Sequence, residues 1–97
     1  MLHHVVLVTL RDGVTDAEVE AVLDGFASLP PAIDQIRTYD VGRDAGLSPN
    51  DFGIVLVATF DSVEDFHAYR EHPAHVAFRR DLLVPASADI TSTQFLT

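Results

Sequence analysis

The sequence has 97 residues, 47% of them hydrophobic, and its fifteen carboxylate side chains outnumber six arginines, with no lysine, to give a net charge of −9. This length fits one domain, residues 1–97, with one hydrophobic core, and the acidic charge argues against nucleic acid and anionic membrane surfaces as partners. The absence of cysteine excludes disulfides and thiolate metal sites, and without a membrane-length apolar run or an export signal we expect a cytoplasmic protein.

The first half of the chain predicts a strand, a helix and a second strand. Residues Leu2–Leu10 are aliphatic and β-branched, which is typical of a strand. Thr15 and Glu18 have the spacing of a capping box and predict a helix start, and Pro30-Pro31 should end that helix. A second strand is predicted at about Ile36–Arg43. The helix carries one apolar stripe at helical spacing, formed by Val19, Val22, Leu23, Phe26 and Leu29.

The second half predicts a third strand, two helical segments and a fourth strand. The third strand covers Phe52–Phe60, and a helix opened by Ser62 should end near His72, because a residue before proline avoids the α region. Pro73 suits the first turn of a new short helix, closed by Pro85. A final strand is predicted at about Ala88–Phe95. The element order is therefore βαββαβ.

This order predicts an α+β, ferredoxin-like sandwich, with an antiparallel sheet in the order 4-1-3-2 and helices on one face. Strands one and three are apolar on both faces, as central strands should be. The face without helices would expose an apolar patch formed by Val5, Leu7, Val55 and Val57. We expect a second copy to cover this patch, making a homodimeric α/β barrel. The alternative is a monomer that covers the patch with its own tail.

Four of the five histidines form two pairs, His3/His4 in the first strand and His72/His75 around Pro73. Alternation along the strand directs His4 towards the helices and His3 towards the other face. A neutral imidazole can act as a general base near neutral pH, whereas a buried polar network is the alternative role. Because His3 and His4 cannot point into one cavity, we expect no metal site. We expect no other cofactor.

The sequence resembles the stress-responsive A/B barrel (Dabb) family over nearly its whole length. The resemblance depends on the strand opening His4-Val5-Val6-Leu7, the helix start at Thr15, the segment Phe60–Asp65 leading to Tyr69, and the motif His72-Pro73-Ala74-His75-Val76. The motif is specific for fold and family rather than for one reaction.

One plant member of the family is a polyketide cyclase, and the resemblance to it is what implies a function here. Its two catalytic histidines match His4 and His75, and its pocket tyrosine matches Tyr69, whereas a first-helix tyrosine of the cyclase is replaced by Phe26. The implied pocket lies between sheet and helices and would bind a small hydrophobic ligand. Its other expected lining residues are Val6, Leu23, Phe26, Leu56 and Phe78.

The implied chemistry is cofactor-independent proton transfer, of the aldol or cyclase type, on a small carbonyl or polyketide-like compound. The alternative is a non-catalytic stress-responsive oligomer or ligand carrier with structural histidines. Cofactorless monooxygenases that share this architecture are a third possibility, supported by fold analogy alone. A roomy pocket with two free imidazole nitrogens would favour the enzyme, and a pocket filled by Phe26 and Phe78 would favour the structural protein.

Overall fold

A computed structural model describes residues 1–97 as a four-stranded antiparallel sheet with helices packed on one face. The sheet order β2-β3-β1-β4 is the predicted order 4-1-3-2 read from the other edge, so the ferredoxin-like fold is confirmed. The strands are β1 (Leu2–Leu10), β2 (Ile36–Arg43), β3 (Ile54–Phe60) and β4 (Ser87–Leu96).

The helical layer is made of one long helix and a second, interrupted helical region. The first helix, α1, is followed at once by a short helix, α2, and the second region ends in a π-helical turn and one further helical turn. Their bounds are α1 (Asp16–Ala27), α2 (Leu29–Ala32), α3 (Val63–Glu71), α4 (Pro73–Phe78), the π-helical turn (Arg79–Leu83) and α5 (Val84–Ala86). None of these helices is both long and apolar enough to cross a bilayer.

The central strands bury alternate side chains against this layer. In β1 every second residue from Leu2 to Val8 is buried, and the residues between them are half-buried. Val6 lies opposite Leu56 of β3, and Val8 opposite Ile54. Because side chains alternate between the faces of a sheet, one face of the two central strands forms the core and the other lacks any helix.

The start of α1 follows from its predicted capping box. The Thr15 hydroxyl accepts a hydrogen bond from the Glu18 backbone N–H at 3.1 Å, and the Glu18 carboxylate accepts one from the Thr15 N–H at 3.4 Å. Arg11 also pairs with Glu18 and donates from Nε to the Pro85 carbonyl at 3.0 Å. The cap thereby connects the start of α1 to the segment before β4.

Three predicted boundaries differ from the structure. Pro30-Pro31 does not stop the helical path, because both prolines lie at the start of α2, where no intrahelical N–H is needed. Pro85 likewise lies inside α5 rather than ending the helical region. β3 begins at Ile54 instead of Phe52, because the Phe52 N–H donates to the Asn50 side chain at 2.9 Å and is used by the loop.

Gly25 allows α1 to approach the π-helical region closely. A Cβ at this position would collide with the ring of Phe78. We predict that Gly25→Ala lowers the free energy of unfolding by about 1–3 kcal/mol through overpacking, although alanine is the better helix former. Gly42→Ala is the matched control, because a Cβ there meets nothing within 4 Å. Urea unfolding of both variants checks this, and equal stabilities would contradict the packing argument.

Candidate functional site

A cavity of about 310 Å³ lies between the sheet and the helical layer. Its walls combine apolar side chains from both layers with a group of imidazole, phenol, amide and guanidinium groups. The apolar side chains are Val6, Phe26, Leu56, Phe66, Leu83 and Ile90. A wall that combines apolar side chains with several convergent polar groups is suited to a small molecule that has an apolar body and polar substituents.

His4 enters this cavity from the centre of the sheet and is only 6% exposed. It lies directly opposite Gln94 of β4, and the Gln94 side-chain amide donates from Nε2 to His4 Nδ1 at 3.0 Å. A neutral imidazole carries one proton, so acceptance at Nδ1 leaves the proton on Nε2. His4 therefore presents an N–H donor to the cavity.

His75 reaches the same cavity from α4, and its tautomer is opposite to that of His4. Its Nδ1 lies 3.1 Å from the backbone carbonyl of Arg70, which can only accept, so Nδ1 donates the hydrogen bond. The second nitrogen, Nε2, is then left with a free lone pair. His75 therefore presents a proton acceptor to the cavity, and His4 presents a donor to the same cavity.

Tyr69 packs near both histidines. Its ring centroid is 4.5 Å from that of His75 and 6.1 Å from that of His4. Its hydroxyl shares a hydrogen bond of 2.8 Å with the hydroxyl of Tyr39, on the edge strand β2. Burial raises the pKa of Tyr69 to about 12 and also raises the pKa of Tyr39. Both phenols therefore stay protonated at neutral pH and serve as hydrogen-bonding groups rather than bases.

Both site histidines are held neutral at physiological pH. Burial lowers the pKa of His4 to about 4, and two positive charges add to the shift, that of His75 when it is protonated and that of Arg70. Burial also lowers the pKa of His75; the Arg70 carbonyl opposes this shift, and the Arg79 and Arg70 charges add to it. A general base must be unprotonated to act, so His75 is in the competent state at pH 7.

The lowered pKa of His4 makes stability depend on pH. Its pKa falls from 6.5 to about 4 on folding, so below about pH 6.5 the unfolded chain binds more protons. Stability from the neutral state is complete above that pH and is lost as the pH falls towards 4. We predict that the free energy of unfolding drops by on the order of 3 kcal/mol between pH 7.5 and 4.5. Urea unfolding at both pH values measures it.

His4→Gln is the control for this pH effect, because it keeps a polar side chain that does not titrate. The variant should lose a smaller amount of stability over the same interval, with the remainder coming from His75, whose pKa is shifted in the same direction. If His4→Gln loses as much free energy of unfolding between the two pH values as the wild type, the assignment to His4 is contradicted.

The structure brings most of the predicted site residues together. His4, Val6, Phe26, Leu56, Tyr69 and His75 all line the cavity. Leu23 and Phe78 do not: Leu23 packs half-buried at the margin of the core, and the Phe78 ring packs behind Phe26 with ring centroids 4.7 Å apart. Phe78 is drawn to this position because Gly25 leaves space for its ring on the surface of α1.

The remaining histidines lie outside the cavity. His3 stacks on Phe95 on the helix-free face, with ring centroids 4.5 Å apart. The His72 Nδ1 accepts a hydrogen bond from the Ala74 N–H at 3.0 Å, and His72 thereby caps α4. His67 is exposed on α3. The chain contains no group of three or more histidine or carboxylate side chains placed to hold one metal ion.

Sequence reasoning missed four polar residues of the cavity wall: Arg70, Arg79, Ser92 and Gln94. Gln94 and Ser92 alternate on β4, and the same face of that strand could have been identified from strand periodicity. Arg79 had no such signal, because it begins the π-helical turn, in which the Val84 N–H donates to the Arg79 carbonyl five residues back. Such turns often lie at functional sites, but no simple spacing of residues predicts where they occur.

The sheet order, the helical layer on one face and the cavity between them define a ferredoxin-like α+β protein with a ligand-sized site. The family model of the stress-responsive A/B barrel domain (Dabb) matches residues 2–96, and the chain belongs to this family.

Relatives and solved structures agree with that membership. The chain is 32% identical over 77 residues to the stress-response A/B barrel domain-containing protein HS1 of Arabidopsis thaliana, covering 77% of this chain and 71% of the relative. It is 29% identical to olivetolic acid cyclase of Cannabis sativa, covering 77% and 76% of the two chains. A dimeric ferredoxin-like protein of unknown function from Thermobifida fusca superposes with a TM-score of 0.89 at 33% identity, covering 99% of this chain and 90% of the other.

Proposed function

We propose that this protein catalyses cofactor-independent proton transfer at a carbon next to a carbonyl group, of the kind that starts an aldol or cyclase reaction. The observation that carries the proposal is the pair of neutral imidazoles with opposite tautomers in one cavity. His75 offers a lone pair on Nε2, and His4 offers an N–H on Nε2. The similarity to a cyclase adds independent support.

The proposed step needs only these groups. His75 Nε2 takes a proton from the α-carbon, and the C–H electron pair forms the C–C double bond of an enolate. The carbonyl electrons move to oxygen, which accepts a hydrogen bond from His4 Nε2–H. The α-carbon then attacks a second carbonyl of the same molecule, and the proton on His75 passes to the new alkoxide. Fixed donors aimed at developing charge are a major source of catalysis.

The size of the cavity supports catalysis over a structural role for the histidines. Phe26 lines the wall and Phe78 packs behind it, so the two rings do not fill the space of about 310 Å³. The competing function, a ligand carrier or stress-associated oligomer, is favoured by one observation. Every side-chain nitrogen or oxygen that is fully buried has a hydrogen-bond partner, and Nδ1 of both site imidazoles is hydrogen-bonded, as expected of a structural network.

Deuterium exchange distinguishes these two functions. A carbonyl compound that reaches His75 should exchange its α-protons in D₂O faster than in buffer alone. We would incubate the protein with the aryl ketone 4-phenyl-2-butanone and follow the α-proton signals by NMR. Exchange above the buffer rate supports the enzyme. Binding of the ketone without exchange above background would favour the ligand carrier.

We also infer that the protein is a homodimer whose subunits meet through the helix-free face of the sheet. Val57 is 42% exposed on that face and lies opposite Val5, with Leu7 and Val55 next to them in the same register. Several structural neighbours are dimeric ferredoxin-like proteins, including the one from Thermobifida fusca. Two such faces packed together would form the dimeric α/β barrel.

We also propose that the protein works in the cytoplasm.

A further inference from the structure

Two of the six arginines in this acidic protein have no carboxylate partner. The other four are all in ion pairs, with the partners Glu18, Asp61, Asp81 and the pair Asp16 and Glu20. With fifteen carboxylates on the chain, partners are abundant. The exceptions are Arg70 and Arg79, and both line the cavity described above.

Arg70 and Arg79 lie where the cavity opens to the surface. Both also line an outer groove of about 500 Å³, which shares His75 with the inner cavity. Arg70 lies at the end of α3, and Arg79 begins the π-helical turn after α4. The two arginines therefore flank the passage from the cavity to solvent, and they lie on either side of the proposed base in the sequence.

Arg70 is held at this position by two contacts. Its guanidinium lies 5.4 Å from the centroid of the Phe66 ring, within the range of a cation–π interaction. Its backbone carbonyl accepts the hydrogen bond from His75 Nδ1. The arginine is thus fixed beside the catalytic imidazole, while the donors of its side chain make no hydrogen bond within the chain.

The positive charge of these arginines also acts on the two imidazoles. Arg70 lowers the pKa of both His4 and His75, and Arg79 lowers the pKa of His75. Two cations beside a cavity that contains no acidic side chain form a local positive region on a protein of net charge −9. A guanidinium without a protein partner is well suited to bind a carboxylate through parallel N–H donors.

We propose that Arg70 and Arg79 bind the carboxylate of the ligand, so that the substrate is an aryl or alkyl carbonyl compound that carries an acid group. Its apolar body and ketone would occupy the inner cavity near His4 and His75, and its carboxylate would lie at the entrance to the groove. That this compound is a substrate rests on the proposed function, whereas the binding of an organic acid at this entrance does not.

The test compares two ligands that differ in one negative charge. Isothermal titration of the full-length protein with 3-benzoylpropionate and with its methyl ester measures the contribution of the carboxylate. We expect the acid to bind about tenfold more tightly than the ester, with a preference that shrinks as salt is added. Equal affinities, or no binding of the acid, would overturn the proposal.

Arginine variants locate the binding group. Arg70→Gln and Arg79→Gln should each reduce the preference for the acid about threefold, and the double variant should remove it. Arg80→Gln is the matched control, because Arg80 lines the same groove but is paired with Asp81 at 2.8 Å. It should keep the preference within about twofold. If Arg80→Gln loses as much as Arg79→Gln, only the general field of the surface is responsible, and the proposal fails.

The two proposals can fail separately. If the acid binds with the expected preference but neither acid nor ester exchanges its α-protons, the organic-acid site stands and the catalytic function falls. If exchange is observed and acid and ester bind equally, the function stands and the arginine site falls. Thermal unfolding of each arginine variant shows whether it is folded, which is expected because both side chains are exposed.

Discussion

Replacing His75 with alanine should slow catalysed α-proton exchange by about 100- to 10,000-fold, the range over which a positioned general base contributes. Its Nε2 is the free acceptor of the cavity, because Nδ1 is committed to the Arg70 carbonyl. The other imidazole of the wall, His4, accepts a hydrogen bond from Gln94 at Nδ1 and therefore presents its Nε2 proton instead. The NMR exchange assay in D₂O measures the loss directly.

Two further variants keep this result interpretable. His75→Gln retains a polar side chain of similar length that cannot take a proton, so it should be as inactive as His75→Ala while leaving the packing against Tyr69 largely intact. His67→Ala removes an exposed histidine of α3 and should exchange at the wild-type rate. Unchanged exchange in both His75 variants would remove the proposed base and leave the carrier as the better reading.

Substituting Val57 by aspartate should convert the proposed homodimer into monomers. In a sheet-to-sheet dimer Val57 would be buried, so each chain would bring an unpaired carboxylate into an apolar interface, at a cost of several kcal/mol. The dimer dissociation constant should rise at least about 100-fold. Light scattering after size exclusion should then report the mass of one chain, 10.6 kDa, instead of two.

Val63→Asp is the matched control for the dimer experiment. Val63 is 41% exposed, against 42% for Val57, but it begins α3 on the opposite layer. The same change in charge and size should therefore leave the mass of the dimer unchanged. Dissociation caused by both variants would point to general charge repulsion, and a dimer that survives Val57→Asp would place the interface elsewhere.

The fold was accessible from the sequence because its signals are local and redundant. β1 and β2 have the predicted bounds, and α1 begins at the predicted capping box. The sheet order follows from the two strands that are apolar on both faces. Two of the three wrong boundaries fall where a proline permits two outcomes. Pro30-Pro31 and Pro85 can end a helix or begin a new turn, and the choice depends on packing that the local sequence does not contain.

The site was accessible only in part. Strand alternation correctly directs His4 and His3 to opposite faces, and the family motif identifies His75 and Tyr69 as candidates. Gln94 depends on the pairing register of β4 against β1, which brings together residues 90 positions apart. Arg79 depends on the π-helical turn. Neither contact has a signature within a short window of sequence, so these polar residues of the cavity wall could be identified only from the structure.

The two site histidines take their tautomers from different layers of the molecule. The sheet fixes His4 through Gln94, and the helical layer fixes His75 through the Arg70 carbonyl. No single segment holds both. The distance between the nitrogen that accepts the proton and the N–H that binds the oxyanion therefore depends on the spacing between the two layers. Side chains that set that spacing, such as Phe66 beside His4, are then tuning elements for reactivity. Changes far from any reacting atom could reset the rate while leaving every donor and acceptor in place.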